Sequence, residues 1–321
     1  MNNEKNSICL HRVLRAPAER FPKAFQVAYA IWIFAWIAMP AIAQNPTFNT
    51  EPNQGTRSQM KSQQESAGQY AAVNGLQMYY EMHGVGRTLV LLHGGGSTIE
   101  STFGYVLPEF AKTHQVIAIE LQAHGHTKDI DRDLSFEQDA DDVAALLDYL
   151  GIANADFMGF SNGGTTCLQM AIRHSKRVNK LVLASATYKR SGMPPGFFDV
   201  FNNATLEMLP EPLHRAYLKA NPDPAGLQRM FDRDVARMKD FKDISDSQIK
   251  NIQAPSLVLN GDVDVVRTEH ALELSRTLPH ARLAIFPSGH GEYLGVIESA
   301  DKSSRTPLFV MAMIEEFLAE L

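Results

Sequence analysis

A serine hydroxyl becomes a useful nucleophile near neutral pH only when a base takes its proton and an acid orients that base. The 321-residue sequence offers such a set in chain order. Ser161 stands inside Gly159-Phe160-Ser161-Asn162-Gly163, the carboxylates Asp262 and Asp264 follow in Gly261-Asp262-Val263-Asp264, and His290 follows in Ser288-Gly289-His290. The G-x-S-x-G spacing suits a sharp, strained turn, because residues without side chains must flank a serine held between a strand and a helix. A fourth stretch, His93-Gly94-Gly95-Gly96-Ser97, puts three glycines together. Bare backbone of this kind can approach a substrate oxygen and donate N–H groups to it; the plainer reading is a simple loop. The chemistry implied is acyl transfer through a covalent serine intermediate.

These residues need elements to hold them. Ala155 to Met158 reads as a short buried strand and Gly164 to Arg173 as a helix, which gives Ser161 its strand-turn-helix setting. Other apolar runs predict strands over 88–92, 115–121, 180–186, 255–260 and 281–286, and Asn74-Gly75 predicts a two-residue hairpin turn between 70–73 and 76–80. Leu134 to Leu150 carries an apolar stripe of Phe136, Ala140, Val143, Leu147 and Leu150, with Asp139, Asp141, Asp142 and Asp148 expected on a solvated face. Helices are also expected over 268–278 and at the end of the chain, 307–321, where Leu308, Met311, Ile314 and Leu318 are expected to pack inward. Strands alternating with helices predict a mostly parallel sheet covered on both faces. In such sheets chemistry gathers at the carboxyl ends of the strands, where Gly94 to Gly96, Ser161, Asp264 and His290 all fall. From about 188 to 253 the pattern changes to short helical pieces rich in Met and Phe and divided by prolines, which reads as an inserted helical cap.

The order serine, acid, histidine, together with His93-Gly94-Gly95-Gly96, Gln122-Ala123-His124-Gly125-His126-Thr127, Gly159 to Gly163, Gly261 to Asp264 and Ser288-Gly289-His290, resembles the α/β-hydrolase family. The resemblance spans 69–321 and is greatest to the branch of enol-lactonases, haloperoxidase-like esterases and carbon–carbon bond hydrolases. It implies the α/β-hydrolase fold with a helical cap, Ser161 as nucleophile, His290 as general base and then acid, and the backbone N–H groups of Gly95 and Asn162 as the oxyanion hole. It also implies Asp264 as the acid, with Asp262 as the alternative whose plainer role is to brace its turn. No metal or organic cofactor is expected. His124 and His126 have the spacing of a metal pair but no recognisable third ligand, so a structural loop is expected there. Two departures touch substrate details: Glu120 stands where relatives have Asp, and 122–126 lacks an arginine often found there. The implied substrate is a small to medium ester or lactone. The alternatives are a diketone cleaved at a carbon–carbon bond and a non-catalytic binding protein of the same fold.

The net charge of −6 and the lack of a basic block beyond the N-terminus argue against nucleic acid. Arg12, Arg15, Arg20 and Lys23 precede an uncharged run from Ala24 to Ala43 that ends Ala41-Ile42-Ala43. That pattern predicts a signal peptide over 1–43, a polar linker over 44–68, and an exported domain over 69–321, periplasmic or secreted. An uncleaved membrane anchor, with the domain still outside the cytoplasm, is the alternative. Beyond Cys9 the only cysteine is Cys167, which is expected to be a small buried residue.

Overall fold

The computed structural model describes residues 68–299 and 303–320; the segment read as a signal peptide and all but the last residue of the linker lie outside them. A hairpin opens the described chain. β1 (Gln69–Val73) and β2 (Leu76–His83) pair antiparallel with Val73 opposite Leu76. Asn74 and Gly75 make the turn at φ 48° and 86°, and two consecutive positive φ angles match the twist of the paired strands.

Six parallel strands follow: β3 (Arg87–Leu92), β4 (His114–Ile119), β5 (Ala155–Phe160), β6 (Val178–Ala184), β7 (Ser256–Gly261) and β8 (Ala281–Phe286). The sheet order is β1-β2-β4-β3-β5-β6-β7-β8, with antiparallel pairing at β1-β2 and β2-β4 and parallel pairing elsewhere. The reversal of order around β3 opens a crevice at the strand ends, and that is where a ligand site belongs in a sheet of this kind.

Helices cover both faces. Two short ones, α1 (Ile99–Phe103) and α2 (Leu107–Phe110), lie between β3 and β4, and α3 (Phe136–Tyr149) and α4 (Asn162–Arg173) flank β5. Val90, Leu92, Ile117 and Phe157 point into the layer beneath α3 and α4. Leu89, Leu91, Val116 and Met158 point the opposite way, into the layer shared with α1, α2 and the last helix. This is the two-residue alternation of a sheet buried on both sides.

Between β6 and β7 the described residues hold no strand. Short 3-10 turns at Arg190–Gly192, Phe198–Asn203 and Leu206–Met208 lead into α5 (Glu211–Ala220), α6 (Pro224–Lys239) and α7 (Asp246–Lys250). Pro224 opens α6, where its missing N–H costs no helical bond. α8 (Thr268–Thr277) and α9 (Thr306–Ala319) complete the chain.

Two sequence expectations are corrected. In α9 Met311, Ile314 and Leu318 pack inward as expected, but Leu308 is 46% exposed, and Val310 and Phe317 are buried in addition. On α3 only part of the expected acidic face is solvated: Asp148 is exposed and Asp141 partly so, but the other two acids are buried. Asp139 and Asp142 are 2% and 1% exposed, because Arg237 of α6 and Arg132 reach in to pair with them. Burial of a carboxylate is tolerated only with such a partner.

Candidate active site

Ser161 follows the last residue of β5 at φ 53° and ψ −119°, a conformation that side-chain-bearing residues avoid. Its surroundings over-determine it. The Ser161 N–H donates to the Ala184 carbonyl at 2.8 Å, and its own carbonyl accepts from Gly164 at 2.9 Å, so the turn is tied to β6 on one side and to α4 on the other. The flanking glycines make room: a Cβ at Gly159 would lie 2.2 Å from the Gly163 carbonyl oxygen, and one at Gly163 would lie 2.0 Å from that of Leu92. The result is a serine side chain raised above the strand ends, at the N-terminus of α4.

The structure brings together three of the residues singled out in the sequence. His290 Nε2 lies 3.1 Å from Ser161 Oγ, and His290 Nδ1 lies 2.7 Å from Asp264 Oδ1. The Asp264 carboxylate also accepts from the Val266 N–H at 2.9 Å and from the Ser185 hydroxyl at 2.6 Å. Burial alone would raise its pKa; the His290 charge, its hydrogen bond and the Ser185 hydroxyl outweigh that and hold it below the ordinary value. On His290 burial favours the neutral ring, yet the Asp264 charge and hydrogen bond prevail and raise its pKa above the ordinary value. Asp262 points elsewhere, accepting the Ser288 N–H at 2.9 Å and so bracing the loop that carries His290.

The glycine run after β3 lies beside this pair. A Cβ at Gly94 would come within 3.5 Å of the Ser161 Cβ, and one at Gly95 within 2.5 Å of Asn162 Nδ2. The Asn162 N–H is the first of α4 and has no carbonyl one turn back to receive it. Among the described residues the Gly95 N–H is likewise bonded to no acceptor. Two backbone donors thus lie on segments that flank Ser161, one in the residue after it and one in the glycine run packed against it.

Several residues at the site carried no signal that was read in the sequence. Ser185, at φ 49°, bonds both to Asp264 and to the Tyr293 hydroxyl at 2.7 Å. Asp234 of α6 reaches the glycine run from the cap, where its Oδ2 accepts the Gly96 N–H at 2.7 Å, and Arg237 pairs with it from behind. Their signal was present: Leu227, Met230, Phe231, Asp234, Arg237 and Met238 are all buried at helical spacing, so two charged residues sit in an apolar stripe. His124 and His126 part company. His124 meets Asp234 at 3.0 Å, and His126 meets the buried Glu120 at 2.8 Å, so each has a carboxylate partner of its own. Among the described residues no cluster of three His, Cys, Asp or Glu is arranged to hold a metal ion.

Fold and site geometry define the α/β-hydrolase class. A family model described as alpha/beta hydrolase fold matches residues 87–237, in keeping with the mostly parallel eight-stranded sheet. It is 28% identical over 247 residues to the serine hydrolase BPHL of Homo sapiens, a match covering 72% of this chain and 82% of that one. It is 27% identical over 261 residues to the 2-hydroxymuconate semialdehyde hydrolase of Pseudomonas sp. (strain CF600), covering 74% and 88%. Among solved structures, the enol-lactonase from Burkholderia xenovorans LB400 superposes with a TM-score of 0.61 at 22% identity, covering 78% of this chain and all of that one, a likeness of fold.

Proposed function

We propose that the protein is an exported serine hydrolase that cleaves a small to medium carboxylic ester or lactone through an acyl-enzyme on Ser161. The observation that carries this reading is the hydrogen-bonded line Ser161 Oγ, His290, Asp264, with the serine held at positive φ beside two backbone donors. His290 Nε2 takes the Ser161 proton as Oγ attacks the acyl carbon. The oxyanion that forms receives the backbone N–H groups of Gly95 and Asn162, as preorganised donors at such a site do. The imidazolium, stabilised by Asp264, then protonates the departing alkoxide. Water, activated by the same His290, releases the acid and restores Ser161. No step calls for a metal or an organic cofactor.

The cap supports an acyl or alcohol portion of apolar character. Leu209 stands over the glycine run, with its Cδ1 only 2.7 Å from where a Gly96 Cβ would be, and Leu206 and Leu218 pack nearby. Apolar walls with a few polar groups at one end are what small-molecule sites of this class present. Export rests on the sequence pattern of 1–43, and N-terminal sequencing of secreted or periplasmic protein, expected to begin at Gln44, tests it.

A second reading, hydrolysis of a carbon–carbon bond in a diketone, is favoured by the 27% likeness to a semialdehyde hydrolase. The same three side chains can serve it. Purified protein is to be assayed on p-nitrophenyl esters of increasing acyl length, a lactone panel and a diketone panel, beside Ser161→Ala. Ester or lactone turnover lost in Ser161→Ala is the expected result. Turnover of diketones alone would move the assignment to the second reading. A folded wild type inert on all three panels, and unlabelled by a fluorophosphonate, would leave a binding protein.

A further inference from the structure

One carboxylate of the cap reaches further into the site than cap packing requires. Asp234 Oδ2 accepts the Gly96 N–H at 2.7 Å and lies 3.3 Å from where a Gly95 Cβ would be. That bond fixes the Gly95–Gly96 peptide, so the direction of the neighbouring Gly95 N–H depends on rotation at one glycine. A fixed negative charge beside an oxyanion hole would oppose the charge that develops there, unless something cancels it.

The surroundings of Asp234 do cancel it. Its Oδ1 pairs with Arg237, whose other terminal nitrogen donates to Asp139 Oδ2 at 2.8 Å. Its Oδ2 also faces His124 Nε2 at 3.0 Å, while His124 Nδ1 lies 2.8 Å from the Gln122 carbonyl. Both ring nitrogens of this buried histidine thus meet groups that only accept, and the imidazolium satisfies both. Burial disfavours that charge, but Asp234 outweighs it and raises the pKa. Two cations and two anions, His124, Arg237, Asp234 and Asp139, then sum to zero inside the protein.

His93 sits beside this group with its ring centroid 4.8 Å from that of His124, and it is the neutral member of the pair. Its Nδ1 donates to the Gly94 carbonyl at 2.7 Å and its Nε2 accepts the Leu121 N–H at 3.1 Å, which sets the tautomer. Burial and the neighbouring His124 charge push it down to about 3. The glycine run is therefore held at two points, by His93 at Gly94 and by Asp234 at Gly96, with Gly95 between them.

We propose that Asp234 is a positioning residue for the oxyanion loop: from the cap it fixes Gly96, and thereby the Gly95 donor, while Arg237 and His124 neutralise its charge. This rests on the reading of Gly95 as an oxyanion donor. The oxyanion hole and the docked cap then form one assembly, so α6 acts on turnover as well as on substrate shape.

The test uses the purified full chain, a p-nitrophenyl ester that the wild type turns over, and a fluorophosphonate. The end point of phosphonate labelling counts working sites and its rate reports the oxyanion hole. Asp234→Ala is expected to lower kcat per labelled site about 10- to 100-fold, with KM within about threefold and labelling slowed in parallel. Asp234→Asn keeps an acceptor, but a neutral and weaker one, so its kcat is expected to fall between that of Asp234→Ala and that of the wild type. Should Asp234→Ala fail to fold, Asp234→Asn carries the test, with a loss of about threefold or more expected. A kcat per labelled site equal to that of the wild type in a folded Asp234 variant, with only the melting temperature lowered, overturns the proposal and leaves Asp234 a cap anchor. Ser161→Ala separates the two readings: full turnover in that variant would sink the serine mechanism itself, whereas an inert Ser161→Ala beside undiminished Asp234 variants would sink only the positioning role.

Discussion

His290 Nδ1 stands 2.7 Å from Asp264 Oδ1, whereas the Asp262 carboxylate, two residues earlier, turns away to the Ser288 N–H. The two acids therefore have separable effects. Asp264→Asn replaces the acceptor with an amide that cannot stabilise an imidazolium, and kcat is expected to fall on the order of 10³-fold or more. Asp262→Asn keeps an oxygen for the Ser288 N–H and is expected to cost less than about tenfold. Steady-state kinetics of both variants on one ester decides it; equal losses would mean that either acid can serve.

The pH profile follows from the direction of the His290 shift. The ring must be neutral to accept the Ser161 proton, and Asp264 raises its pKa above the ordinary value near 6.5. Activity should therefore be lost as pH falls through a midpoint above about 6.5. Removing the Asp264 charge lowers the histidine pKa, so in Asp264→Asn the residual activity should show its acid limb displaced to lower pH. A limb that does not move on that substitution would mean that another group governs it.

The hydrogen-bonded trio of Ser161, His290 and Asp264 was legible because its placement is local: each member sits in a short turn after an apolar strand, and strand ends of a parallel sheet converge. In the sequence only the resemblance favours Asp264 over Asp262, because both lie in one turn, and only the placed side chains show which one meets His290. What stayed hidden depends on contacts between distant segments. Asp139 and Asp234 are 95 residues apart in number and meet through Arg237, so nothing near Asp139 in sequence reveals that it is buried. Leu308 shows the same limit in reverse. Two apolar faces of α9 compete, since the helix is apolar almost all round, and only the packing against β-sheet residues such as Leu257 and Leu259 selects one.

Ser185 offers a milder test of how Asp264 is held. Its hydroxyl donates to Asp264 Oδ2 at 2.6 Å and meets the Tyr293 hydroxyl at 2.7 Å, all of it buried. Ser185→Ala removes one donor to a buried carboxylate. A stability loss of about 1–3 kcal/mol is expected, together with a several-fold fall in kcat and little change in KM. Denaturant melts beside kinetics measure both, and an unchanged kcat would show that Val266 and His290 suffice to orient the acid.

Cys167 lies on α4 with no exposed surface, and burial pushes its thiol pKa far up. A thiolate is the reactive form, so the folded domain should resist maleimide. For protein beginning at Gln44, mass spectrometry is expected to show no adduct under native conditions and one adduct per chain in denaturant. Labelling of the native protein at a rate comparable to a free thiol would mean that α4 opens readily, and would contradict the close packing around Ser161.

Gly163 brings two effects into direct competition. It lies inside α4, where alanine would ordinarily favour the helix by about 1 kcal/mol. Against this, a Cβ there would sit 2.0 Å from the Leu92 carbonyl oxygen and 2.6 Å from that of His93, both backbone atoms of a buried strand end that cannot rotate aside. Relief requires α4 to move away from β3, which also pulls Ser161 from His290 and Asn162 from the glycine run. Overpacking of this kind costs about 1–3 kcal/mol or more, so the clash should outweigh helix propensity. Gly163→Ala is therefore expected to lower the melting temperature and to reduce kcat by at least tenfold in whatever protein folds. A Gly163→Ala variant as stable and as active as the wild type would show that the turn around Ser161 has room that the backbone contacts deny.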